Sequence, residues 1–129
     1  MAKRVLIADD EPNIVTSLEF LMTKSGYQVE VARNGEEALA LVASFKPDLV
    51  LLDVMMPLRS GYEVCQKMRS RADWRHIKIV MLSAKGREAE VSKGMSLGAD
   101  AYVTKPFSNR ELIAKVGGLL GESGTPDAA

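Results

Sequence analysis

Asp9-Asp10, Asp53, Ser83 and Lys105 are polar groups that interrupt the apolar runs of this 129-residue chain at regular places. Three carboxylates brought together repel one another unless a cation neutralises them, and an oxygen-only donor set suits Mg²⁺, which keeps some of its waters. The Lys105 ammonium and the Ser83 hydroxyl add donors suited to a tetrahedral oxyanion. A carboxylate nucleophile, Mg²⁺ and a lysine together describe phosphoryl transfer to an aspartate. No His, Cys or second Ser accompanies the set, so a triad hydrolase has no support.

For these groups to act together, the segments between them must carry them to one place. Residues 5–8 read as a buried strand that ends at Asp9-Asp10. From residue 12 to about 25, Ile14, Leu18, Leu21 and Met22 recur at helical spacing, with Asp10 as N-cap, Pro12 in the first turn and Gly26 as the stop. Residues 27–32 form a second strand, and Asn34 caps a helix with Ala38, Leu39 and Val42 on one face, closed by Pro47. Residues 49–52 are apolar at every position, as a parallel strand covered on both faces requires, and lead into Asp53. After Pro57 and Gly61 a helix buries Val64, Cys65 and Met68. Residues 77–82 make a fourth strand ending at Ser83, and residues 86–97 a fourth helix. A short fifth strand over 101–103 precedes Thr104-Lys105-Pro106, and a last helix carries Leu112, Ile113, Val116, Leu119 and Leu120.

Five strands alternating with five helices predict an α/β fold, a doubly wound parallel sheet with helices on both faces. Parallel strands point the same way, so Asp9, Asp10, Asp53, Ser83 and Lys105 gather on one edge. If strands one and three are neighbours, that edge holds the crevice where doubly wound folds bind ligands. Asp53, the one acid at the end of a fully apolar central strand, is the expected phosphoacceptor.

The bulk properties narrow the class. Lys and Arg number 17, as do Asp and Glu, and zero net charge argues against direct nucleic-acid or anionic-membrane binding. Cys65 stands alone, so no intrachain disulfide forms and a reducing compartment fits. The first apolar run is too short for a signal peptide or membrane span, and the expected location is cytoplasmic. Residues 1–120 read as one domain and 121–129 as a flexible tail. Met22, Met68, Met81 and Met95 read as core filler, Met56 as packing, Cys65 as buried and inert, and Trp74 and His76 as part of a polar connection.

Asp9-Asp10, the run from Asp53 through Pro57 with Gly61, Ser83-Ala84, and Lys105-Pro106-Phe107 together resemble the response-regulator receiver domains of two-component signalling. The likeness covers about residues 3–120, with four motifs in the family's order and spacing. It implies strand order 2-1-3-4-5, as in chemotaxis response regulators, and Asp53 as phosphoacceptor. It also implies Mg²⁺ held by Asp10, Asp53 and the backbone carbonyl of Met55, with Asp9 acting through water. Ser83 and Lys105 would bind the phosphoryl oxygens, and the peptide before Pro106 would be cis. Ser83 would then move toward the phosphate and Tyr102 would rotate inward, reshaping the surface of helix four, strand five and helix five. The implied partners are a histidine kinase or histidine phosphotransfer protein and a downstream protein target or output domain. A phosphorylation-dependent homodimer through helices four and five stays open. The chain would modify itself and lose the phosphoryl group slowly, without being a turnover enzyme.

Two departures accompany the resemblance. Arg59 stands where an apolar residue is usual. Met55 and Lys85, two residues after Asp53 and Ser83, occupy the positions that flank the hydrolytic water in the family, and apolar Met55 is poorly suited to orient it. Two other functions compete. The chain could be the receiver portion of a longer, DNA-binding regulator. It could also be an Mg²⁺-dependent phosphohydrolase resembling haloacid dehalogenases, but those carry Asp-x-Asp after the first strand, whereas here the acids are adjacent.

Overall fold

The computed structural model describes residues 3–84 and 88–121. Its strands are β1 (Arg4–Ala8), β2 (Gln28–Ala32), β3 (Leu49–Asp53), β4 (Lys78–Ser83) and β5 (Ala101–Thr104). They alternate with α1 (Pro12–Lys24), α2 (Gly35–Phe45), α3 (Gly61–Arg69), α4 (Glu88–Ser96) and α5 (Asn109–Leu119). All strand pairings are parallel, in the order β2-β1-β3-β4-β5. A short 3₁₀ turn at Ala72–Trp74, absent from the sequence reading, joins α3 to β4.

Successive strand side chains point to opposite faces, and this period of two builds two cores from the same strands. Leu6, Ala8, Val50, Leu52, Ile79 and Met81 pack with Ala38, Val42, Val64 and Met68 of α2 and α3. Val5, Ile7, Leu49, Leu51, Val80 and Leu82 pack with Leu18, Met22, Leu112 and Val116 of α1 and α5. β3 is buried at every position, and each such fully buried Leu or Val contributes about 1.5–3 kcal/mol. Its central place explains why its sequence has no polar alternation until Asp53.

The helix ends follow local chemistry, with some corrections to expectation. Asp10 is not the N-cap of α1. That position is Glu11, which makes no side-chain cap, and Asp9 Oδ1 instead accepts the Glu11 N–H at 2.9 Å. A pair of acids at a strand end thus leaves the inner one to serve the turn and the outer one exposed. Asn34 does cap α2, accepting from Glu37 N–H at 2.9 Å. Ser60 and Glu63 form a reciprocal capping box at α3. Met95 is 42% exposed and lies outside the core, because α4 turns only Gly94 fully inward. The expected start of the fourth helix at Gly86, the residues Lys85 and Arg87, and the tail beyond residue 121 lie outside the described residues.

Candidate functional site

The parallel sheet delivers the acidic and basic groups to one edge. Asp9 follows β1, Asp53 is the last residue of β3, Ser83 ends β4, and Lys105 follows β5. Because β1 and β3 are neighbours while β2 lies outside β1, the chain reverses its direction of winding between Asp9 and Asp53. Asp9 is fully buried, and Asp53 and Ser83 nearly so, while Asp10 is exposed at the rim.

Lys105 Nζ reaches Asp9 Oδ2 at 3.0 Å and Asp53 Oδ1 at 3.3 Å, so one ammonium bridges two buried carboxylates. A carboxylate oxygen from each of Asp9, Asp10 and Asp53 lies within 4.8 Å of the others. The balance is short of positive charge. Burial, with repulsion from Asp9, outweighs the attraction of Lys105 and the Met55 backbone hydrogen bond, and the Asp53 carboxyl is pushed up to about 6. Lys105 answers in the opposite sense. Burial lowers its pKa, but its hydrogen bond to Asp9 and the charges of Asp53 and Asp9 prevail and raise it.

Hard carboxylate oxygens with uncompensated negative charge fit a divalent cation such as Mg²⁺. Among the described residues these three acids are the group suited to hold a metal ion.

The loop from β3 to α3 is braced tightly around Asp53. Gly61 N–H donates to the Val54 carbonyl at 2.8 Å, and a Cβ on Gly61 would drive into the Asp53 carbonyl. Only glycine permits that approach. Arg59 sits outside the core and pairs with Glu36 at 2.6 Å across an exposed surface. Met55 is 60% exposed and Met56 packs partly on the core. On the far edge, the Lys105–Pro106 peptide is cis, and Lys105 N–H donates to the Ser83 carbonyl at 2.7 Å. Tyr102 is half-buried, with its ring beside Gly94 and Met81.

Sequence reasoning did not single out Tyr62, whose hydroxyl meets that of Tyr102 and donates to the Glu90 carbonyl at 3.3 Å. Its position directly after Gly61 was the available signal. Trp74 also departs from the polar connection assigned to it, packing partly on the α2–α3 core.

The profile of the response regulator receiver domain matches residues 5–117. Among solved structures, a response regulator from Chloroflexus aurantiacus J-10-fl is 33% identical at TM-score 0.90, covering 94% of this chain and 99% of that one. The signal receiver domain of a signal transduction histidine kinase from Syntrophus aciditrophicus is 31% identical at TM-score 0.87, covering 99% and 97%. The Vibrio cholerae chemotaxis protein CheY4 is 28% identical at TM-score 0.87, covering 92% and 99%.

Proposed function

This chain belongs to the response-regulator receiver family of two-component signalling, and on that premise we propose that Asp53 accepts a phosphoryl group from a phosphohistidine. The observation that carries the proposal is the Lys105 bridge between Asp53 and Asp9 at the β1–β3 switch point. Asp53 attacks the phosphorus with a carboxylate oxygen, the P–N bond of the donor breaks, and its electron pair leaves on the imidazole. Lys105 holds the acceptor carboxylate in place and, with Ser83, takes the charge of the transferred oxygens. Asp9, Asp10, Asp53 and the Met55 backbone carbonyl would hold Mg²⁺, which when bound neutralises charge on the phosphoryl group. The donor is a histidine kinase or phosphotransfer protein. The output is a changed α4–β5–α5 surface read by a protein target, with Ser83 and Tyr102 carrying the change. Because the acceptor is part of the chain, the domain modifies itself and does not turn over.

Mg²⁺-dependent labelling with acetyl phosphate tests the proposal. Wild type should take up one phosphoryl group and Asp53→Asn none; retained labelling in the variant overturns the assignment. Sustained phosphate release from phosphate esters would instead favour a phosphohydrolase.

A further inference from the structure

Tyr62 stands where three elements meet. It is the second residue of α3, its hydroxyl is hydrogen-bonded with that of Tyr102 on β5, and it donates to the Glu90 carbonyl of α4 at 3.3 Å. The Lys93 ammonium lies 4.5 Å from the centre of its ring, tying it to α4 a second time. Tyr102 also lies against Gly94, where a Cβ would come within 3.0 Å of its ring carbon Cδ2. The missing side chain at Gly94 is what lets the ring come this close to α4.

The same residue is also bound to the acceptor loop. Gly61, its chain neighbour, donates to Val54 O at 2.8 Å and packs against the backbone carbonyl of Asp53 without room for a Cβ. A displacement of the Asp53 backbone therefore reaches Tyr62 through one peptide. Among the described residues, Glu90 Oε1 is buried in the same seam without a hydrogen-bond partner.

From this arrangement we infer that Tyr62 is a latch: its hydroxyl holds Tyr102 in the position packed against Gly94, and its bond to Gly61 lets the acceptor loop release it. The inference rests on the reading of Asp53 as acceptor and adds a positioning residue on α3 to it. Tyr62 touches no reacting atom; it acts through Tyr102.

Removing only the hydroxyl tests the latch. One hydrogen bond of this kind, biasing one of two positions, corresponds to about a two- to tenfold change in an equilibrium. In Tyr62→Phe, beryllofluoride with Mg²⁺ should bind about two- to tenfold more tightly than in wild type. The Tyr102 ring resonances of the unliganded variant should move toward those of beryllofluoride-saturated wild type, a signature that a merely structural role does not produce. Adding Tyr62→Phe to Tyr102→Phe should change beryllofluoride affinity by less than about twofold, because the bond shared by the two hydroxyls is already gone and only the long contact to the Glu90 carbonyl is left to lose. Independent, multiplying effects in the double variant overturn the latch, as does an unmoved Tyr102 resonance in a Tyr62→Phe protein that still binds. Absence of beryllofluoride binding by wild type overturns the Asp53 reading, and the latch with it, so the two failures are distinguishable.

Discussion

At the scale of the residue, Asp53 is set by a conflict between burial and charge. An acid whose folded pKa lies above its unfolded value binds protons more tightly in the folded state. Stability therefore falls as pH rises from the ordinary 3.8 to the folded value near 6, and the penalty is complete above it. Metal-free Asp53→Asn should consequently be more stable than wild type by about 3 kcal/mol at pH 7.5, with the difference falling below about 1 kcal/mol near pH 4. Urea denaturation at the two pH values measures this; an equal difference at both would contradict the electrostatic account. Added Mg²⁺ should raise the stability of wild type alone. Met55 is exposed and lies two positions past Asp53. A thioether accepts hydrogen bonds weakly and donates none, so it orients a water poorly. On the proposed chemistry Met55→Asn should speed loss of the phosphoryl group several-fold, and an unchanged or slower rate would remove the explanation.

At the scale of the element, the β3–α3 connection has two parts of unequal rigidity. Ser60 supplies a cap whose loss leaves one N–H to water, so Ser60→Ala should cost about 1 kcal/mol. Gly61→Ala meets the Asp53 carbonyl, which is backbone in the central strand and cannot swing aside. Its cost should reach about 2–3 kcal/mol, in the range of overpacked cores, and it should also impair labelling of Asp53. Thermal unfolding of the two variants checks the order. Elements of this size were legible because their patterns are local: the unbroken apolar run of β3, the Asn34 cap and the stop at Gly26, whose φ is +97°. The Asp10 cap failed because two adjacent acids compete for one turn, and only the strand's path decided that Asp9 faces it.

At the scale of the whole molecule, two cores share one sheet, and the interior of the α2–α3 layer includes Cys65. Burial pushes its thiol up to about 11, and its Sγ lies 3.6 Å from the Leu97 carbonyl. Native protein at pH 8 should leave it unmodified by a thiol reagent, whereas denatured protein should react once per chain. Rapid native labelling would show that this layer opens. No helix among the described residues is long and apolar enough to cross a membrane.

Residue order alone determined the alternation of strands and helices, the strand-end positions of Asp9, Asp53 and Ser83, and the place of Lys105 just beyond β5. Apolar periodicity and turn chemistry act over a few residues, and the ends of parallel strands share an edge wherever the sheet forms. Tertiary structure decided what depends on distance between segments far apart in the chain. It put Lys105 on both Asp9 and Asp53, raised the Asp53 pKa by burial, turned Met95 out to solvent, and joined Tyr62 to Tyr102. A hydrogen bond between residues 40 positions apart leaves no periodic trace, because its partners meet only after the layers pack.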